Sequence, residues 1–439
     1  MSGEGEKGGL RNPLADFPPF TPRRADAPLA LGGMRVVDFT RFLAGPWCTQ
    51  TLADFGAEVI KIENPGVGDE TRLYTPPDIA GEAPYFLGLN RNKRSIVLDL
   101  RNPAGVAVAR DLACKADILV ENFAPHMMKR FGLDYASLRE LNPRLIFCSV
   151  SGWGADSSLA DQPGFDSVFQ AESGFASLTG DPDRLPMRTG TPIIDITASM
   201  NATIAVLAAL TAREKTGEGQ HVEVALFDTA VTLLAYFSMN YLASGVDPVR
   251  MGNMAPVATP IGMFETADGG AIYVSCGTQR TWENFATKVL ERPDLVSDPR
   301  FRTNRDRNAH KQELMDLIGA IMRTADRDTW MERIHRARSP AGAVRSVGEA
   351  LHSKAAMERK LVTVRKTSDG TPVPLISSPF RMSGTPVADP ILPPALGEHR
   401  DEILTQLLGY EAEKIATLEA AGAFGWNNRA PERQPSDKD

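Results

Sequence analysis

Over the first 150 residues, short, mainly apolar runs alternate with segments of helical period. MRVVDF (34–39) reads as a buried strand, AGPWCTQTLADFG (44–56) as a short helix closed by glycine, and AEVIKIE (57–63) as a second strand. A strand–helix–strand succession implies a parallel pair. SIVLDL (95–100), DILVEN (117–122) and RLIFCSV (144–150) add strands, and NPAGVAVARDLACKA (102–116) adds a helix with proline in its first turn. The expected fold class is α/β, with a doubly wound first domain.

Farther along, ITASMNATIAVLAALTAR, from Ile196, predicts a buried helix that ends at the charged, glycine-bearing REKTGEGQ. HVEVALFDTAVTLLAYFSMNYLAS reads as a short strand passing into a second long helix. VDPVRMGNMAPVATP (246–260) has the glycine, proline and asparagine of a loop, and the domain boundary is placed at its start. Residues 33–245 then form the first part of a large domain, and 246–345 form a smaller α+β domain of short strands (GMFETADGGAIYVSC) and amphipathic helices (TWENFATKVL, KQELMDLIGAIMR). The proline-rich segment 346–439, with a last helix near DEILTQLLG, is expected to return to the large domain. Residues 1–32 carry glycine, proline and charge without hydrophobic period, the pattern of a mobile or surface-draped arm.

Composition narrows the function classes. A chain of 439 residues exceeds what one core usually serves. The net charge of -7 gives no global attraction to nucleic acid or an anionic membrane. No apolar run is read as approaching the ~20 residues that cross a bilayer. Cys48, Cys114, Cys148 and Cys276 are widely spaced, with no secretory h-region ahead of them, which suits buried, reduced thiols in a cytoplasm. The six histidines form no His-x-x-x-His pair and no cluster with cysteine, so no metal site is expected.

Candidate chemistry is sparse. GVGDE (66–70) lacks the third glycine and the following helix of a dinucleotide fingerprint. NRNKRS, with Arg91, Lys93 and Arg94 ahead of a strand, reads either as a solvated basic turn or as a phosphate-binding edge, and Arg72 and Lys129-Arg130 read the same two ways. In PIIDITASMNA (192–202), Asp195 sits where an N-cap is expected. A helix amino terminus would hold its carboxylate ionised, the state that a nucleophilic aspartate needs.

DFTRFLAGPWCTQTLADFGAEVIKIENPGVGDETR, LNRNKRSIVLDLRNPAG, ADILVENFAPHMMKRFGLDYASLRELNPRLIFCSVSGWG, REKTGEGQHVEVALFDTAV and SPFRMSGTPVADPILPPALGEH together resemble the class III coenzyme A transferases, the CaiB-BaiF family, from about Gly33 to Gly422. The resemblance implies an interlocked-ring homodimer, each chain with a Rossmann-like large domain made from both chain ends and a smaller middle domain. It implies CoA transfer from an acyl-CoA donor such as succinyl-CoA to a carboxylic acid, through an aspartyl-CoA thioester on Asp195. The CoA thioester is a substrate, and no tightly bound cofactor is implied.

By the same resemblance, contacts to CoA fall on Phe42, Leu43, Ala44, Leu98, Arg101, Asn122, Phe123 and Arg130, with Arg72 and Arg94 added as basic candidates. Asn64 stands where a basic residue is common. Gly252 and Asn253 lie where oxalate-specific members carry a glycine run, so a different acceptor is expected. Racemase members of the family resemble Gly-His-Asp where this chain has Gly164-Phe165-Asp166; phenylalanine transfers no proton, which disfavours racemisation. Asp166 then either orients the acceptor or holds a turn. A catalytically silent CoA-binding protein is the remaining alternative.

Overall fold

The computed structural model describes residue 14 and residues 16–425, so residues 1–13 and 15 of the expected arm lie outside the described residues. Contacts divide the chain into two units. The described residues of Met1–Ser173, Gly190–Leu233 and Leu351–Asp439 form one, and Gly174–Thr189 with Leu234–Ala350 form the other.

The first unit is built on six parallel strands, β1 (Arg35–Asp38), β2 (Glu58–Glu63), β3 (Lys93–Val97), β4 (Ile118–Glu121), β5 (Ile146–Ser151) and β6 (His221–Ala225). Their order is β3-β2-β1-β4-β5-β6, doubly wound, with a reversal between β1 and β4. β1, β2 and β4 are buried on both faces, which is why they read as mainly apolar runs, with Lys61 as a buried charge inside β2. β6, at one edge, alternates between exposed and half-buried positions.

The helices of this unit include α1 (Ala44–Asp54), α2 (Pro84–Leu89), α3 (Pro103–Cys114), α4 (Asp166–Glu172), α5 (Ile193–Thr216) and α6 (Leu226–Thr232). Asn102 caps α3 by accepting from the Ala104 amide, and Pro103 occupies the first turn, where a missing N–H costs nothing. Val108 and Leu112 of α3 share a core with Val37, Ile60 and Leu119 of the sheet and with Ile403, Leu404 and Phe424 of the returning chain end. That chain end also covers the edge at β3: the His399 amide donates to the Ser95 carbonyl at 2.9 Å and the Gly397 amide to Ser95 Oγ at 2.9 Å.

α5 differs from expectation in two ways. It begins at Ile193, not Ile196, with Pro192 as its N-cap residue. At 24 residues, with mean hydropathy 1.8 in its most apolar window, it is long and apolar enough by composition to cross a membrane. The run is not a continuous apolar stretch in the sequence, because Asp195, Thr197, Ser199, Asn201 and Thr203 interrupt it. Ala198, Ala202, Val206 and Ala209 are buried, and α5 packs against α1 and β5.

The run after β6 is not one long helix. It breaks after α6, at Ala235 with φ +51°, and α7 (Tyr236–Ser244) belongs to the second unit. That unit therefore starts earlier than residue 246, and it includes Gly174–Thr189, a stretch that no shift in composition marks. Its antiparallel strands β7 (Ile261–Glu265), β8 (Ala271–Ser275) and β9 (Ala341–Ala343) bury one face, beside a core containing Trp282, Phe285, Phe301 and Trp330. In the first unit, β10 (Val362–Lys366) and β11 (Pro372–Ile376) form a hairpin. The described part of the arm is draped over the returning segment: Lys360 Nζ donates to Thr21 Oγ1 at 2.6 Å and the Arg23 amide to Asp389 at 2.9 Å. The four cysteines are free; Cys48, Cys148 and Cys276 are buried, but Cys114, at the end of α3, is exposed.

Two ion pairs without side-chain exposure lie along β1, β2 and β3. Lys93 Nζ meets Asp38 at 3.0 Å, and Lys61 Nζ meets Asp69 at 3.0 Å. Asp38 also accepts from the Thr40 amide and from Thr49 Oγ1, while Lys93 donates to the Pro46 carbonyl and Lys61 to the Thr40 carbonyl. Burial alone would push the Asp38 carboxyl up; Lys93, Lys61 and the two threonines reverse this and hold it below the usual carboxylate range. Lys93→Met strands a buried carboxylate and is expected to remove about 3–5 kcal/mol of stability. Urea unfolding at pH 7 reads this as a lowered midpoint, and an unchanged midpoint would mean that the pair does not hold the fold.

Candidate functional site

Leaving β1, the chain turns sharply into α1. Phe42 stands at φ +65°, a left-handed conformation that a bulky side chain adopts only when its surroundings impose it. Asn122, just past β4, brackets the preceding residue: its Oδ1 accepts from the Arg41 amide at 2.9 Å and its Nδ2 donates to the Arg41 carbonyl at 2.8 Å. Asp69 accepts weakly from the Phe42 amide at 3.4 Å. Gly45 permits the tight entry into α1, because a Cβ there would lie 2.3 Å from Thr40 Cβ. The turn and Asn122 thus flank the point where the strand order reverses, the place where open α/β sheets hold ligands.

The residues inferred for CoA divide into groups. Phe42, Leu43, Ala44, Asn122 and Phe123 come together at the carboxyl ends of β1 and β4, with Leu98 buried just past β3. Phe123 packs edge-on against Phe39 and Phe131, with the Arg41 guanidinium 5.2 Å from its ring centre. Asn64 lines a small cleft with Arg41, Lys61 and Phe123. Arg101 is exposed and paired with Asp99, and Arg130 is exposed, with the Met127 sulfur as its one side-chain hydrogen-bond partner among the described residues.

Arg72 and Arg94 are placed differently. Arg72 is nearly buried, pairs with Glu63 and Glu82, and lies 3.6 Å over the Phe86 ring. Arg94, near the amino end of β3, pairs with Glu58 and Glu402. Both guanidinium groups are engaged within the fold. Gly252 and Asn253 form a turn of the second unit, with the Gly252 amide donating to the Gly180 carbonyl at 3.0 Å.

Asp195 is the third residue of α5 and its side chain does not cap the helix. The cap comes from Asp166, the first residue of α4, whose Oδ2 accepts from the Ile194 amide at 2.7 Å and the Asp195 amide at 3.3 Å. Its other oxygen accepts from Gln170 Nε2 at 2.5 Å. Below α4, Phe169 is fully buried against Trp153, and Gly164 leaves room for it, since a Cβ there would lie 2.4 Å from the Phe169 ring. Phe165, exposed, meets Phe42 edge-on at 6.0 Å and so links this turn to the one at α1.

The oxygens of Asp195 accept no hydrogen bond among the described residues. Burial, and then the Asp166 charge, push its carboxyl up to about 7. This corrects the expectation of a capping carboxylate that the helix dipole keeps fully ionised. Two aromatic residues went unnoticed in the sequence. Tyr85 on α2 packs edge-on against Tyr74 at 5.5 Å, and its phenol is pushed up to about 12 by burial and then by Asp195, with further contributions from Tyr74, Asp69 and Asp166. Only their order in APYF and RLYT marked them, and neither pattern is distinctive. Arg41, which no sequence signal singled out, lies in DFTRFLAG (38–45).

Residues 31–400 match the family described as CoA-transferase family III. The succinate–glutarate CoA-transferase of Agrobacterium fabrum is 39% identical over 383 residues, spanning 86% of this chain and 95% of that protein. The human succinyl-CoA:glutarate CoA-transferase is 34% identical over 401 residues, 89% of each chain. Among solved structures, a CAIB/BAIF family protein from Brucella suis superposes with a TM-score of 0.78 at 37% identity, covering 86% of this chain and 99% of that one. A family match over most of the chain, joined to relatives aligned over nearly their whole length, shows that this protein belongs to CoA-transferase family III, the CaiB/BaiF enzymes.

Proposed function

We propose that this enzyme moves CoA from succinyl-CoA, or a similar small acyl-CoA, to a short dicarboxylic acid, with Asp195 as the nucleophile. The observation that carries this reading is a half-buried carboxylate whose oxygens have no hydrogen-bond partner among the described residues. Such a group keeps its lone pairs for attack. The names of the Agrobacterium and human relatives favour succinyl-CoA as donor and a glutarate-like acceptor.

Asp195 attacks the thioester carbonyl, giving a mixed anhydride and CoA thiolate. The thiolate attacks the aspartyl carbonyl, which releases the first acid and leaves an aspartyl-CoA thioester. The acceptor carboxylate then attacks this thioester, forming a second anhydride and freeing the thiolate. Thiolate attack on the acceptor acyl carbon releases the new acyl-CoA and restores Asp195. Each covalent step replaces one difficult exchange by easier ones.

Phe42 to Ala44, Leu98, Asn122 and Phe123 would hold the adenine and pantetheine, and the exposed Arg101 and Arg130 would meet phosphates. Arg72 and Arg94 act behind this row through their carboxylate partners. Gly252 and Asn253 are assigned to acceptor selection on resemblance. Racemisation is disfavoured because Phe165, beside Asp166, presents a phenyl ring with no proton to give.

We also propose the interlocked homodimer. Only 44% of the apolar window of α5 is buried, and Met200 and Ile204 are 52% and 64% exposed. A second copy of the chain would cover this face.

Asp195→Ala is expected to reduce exchange between succinyl-CoA and glutarate by at least about 10³-fold while the protein still elutes as a dimer. Turnover within a few-fold of wild type, read by mass spectrometry of the acyl-CoA pool, would remove the nucleophile assignment.

The raised pKa sets a pH dependence. Because the ionised form attacks, kcat/KM should rise with pH through about 7 and then level off. Asp166→Asn keeps an acceptor for the α5 amides but removes the charge. Its acid limb should move to lower pH, and a limb that stays in place would show that Asp166 does not govern Asp195.

A further inference from the structure

A second site in the first unit shares no lining residue with the neighbourhood of Asp195. A cavity of about 450 Å³ lies between arm residues 18–23 and the returning segment with the β10–β11 hairpin. That volume falls within the range of small-molecule sites. The chain is acidic overall, yet the cavity is lined by five cationic side chains: Arg23, Arg91, Arg359, Lys360 and Arg381. The acidic groups facing it are Asp54, Glu358 and Asp389.

Several of these charges are already engaged. Arg91 pairs with Asp54, and Asp389 accepts from the Arg23 amide. Lys360 donates to Thr21, and Arg381 donates to the carbonyls of Ser378, Phe380 and Arg359. Arg23 donates to the carbonyls of Arg24 and Ala27. Glu358 is exposed and pairs with Lys354 at 3.8 Å. The Arg359 guanidinium has no partner among the described residues. Ser378 lines the same cavity with a hydroxyl that is buried, at 6% residue exposure, and has no hydrogen-bond partner among the described residues. A buried hydroxyl in that state carries a desolvation penalty that a ligand acceptor would relieve.

We propose that this cavity binds a small organic or inorganic dianion through Arg359 and Ser378, with the arm as one wall. A guanidinium fork and a hydroxyl donor suit the paired oxygens of a carboxylate or a phosphate equally. Phe20, Pro386 and Pro390 supply apolar walls that would face the carbon skeleton of an organic acid. Arm residues 18–23 precede residues 31–400, the part matched to the family, so one wall comes from outside the family match.

Isothermal titration of the full chain with pyrophosphate and with citrate tests the site. Saturable binding of either probe at one per chain is expected, weakened at least about tenfold by Arg359→Glu and reduced by Ser378→Ala. Saturating succinyl-CoA should not displace the bound probe. The preferred probe distinguishes a phosphate from a carboxylate ligand. No saturable binding, equal affinity in Arg359→Glu, or displacement of the probe by succinyl-CoA would overturn the proposal, the last by placing the anion at the Asp195 site.

Discussion

The carboxylate of Asp166 at the amino end of α5 ties the candidate site together. It belongs to α4 but accepts from the Ile194 and Asp195 amides, so one group fixes where α5 starts and how α4 meets it. Hydrogen bonds to a charged acceptor contribute roughly 1.5–3 kcal/mol each. A helix amino terminus stabilises a nearby anion by only about 0.3–1 kcal/mol, less than one pH unit for a carboxyl. That is too little to offset burial and a neighbouring charge, which carry Asp195 from 3.8 to about 7. The helix dipole favours the ionised form of Asp195, but burial and the Asp166 charge outweigh it.

A second constraint sits under the sheet. Asp38, Lys93, Lys61 and Asp69 are charged groups without exposure, and an apolar core of similar shape is often no less stable than a buried ion pair. What these groups add is direction, because three of their further partners are backbone atoms of one turn: the Thr40 amide, the Thr40 carbonyl and the Pro46 carbonyl. That turn holds Phe42 in its left-handed conformation and aims α1, while Asn122 locks it from β4. The buried pairs therefore shape the crevice at the reversal of strand order.

The strands were legible in the sequence because burial on both faces makes β1, β2 and β4 mainly apolar, even with Lys61 inside β2. The start of α5 was not, because its capping carboxylate lies 28 residues before Ile194 on another helix and no local pattern records it. Asp195 could be singled out from its neighbours, but its state depends on burial and on Asp166, both products of tertiary structure. Arg72 and Arg94 show the same limit in reverse. Their sequence context left a solvated turn and a phosphate-binding edge both open, while Glu63, Glu58 and Glu402, near only after folding, engage them.

Holding Asp195 in this state works against the fold in a defined pH window. A carboxyl that keeps its proton to about 7 when folded and loses it near 4 when unfolded makes the folded state bind more protons between those values. Stability contributed at this position therefore falls as pH rises from about 4 to about 7 and stays low above that. The groups buried along β1 to β3 behave oppositely at Asp38, whose lowered carboxyl gives a contribution present above about 4 and lost only in stronger acid. At neutral pH the well-paired carboxylate supports the sheet while the unpaired one is held half-protonated. That separation of two aspartates, one surrounded by donors and cations and the other facing a like charge, is the physical difference between an acid that supports the fold and one that the proposed function can use.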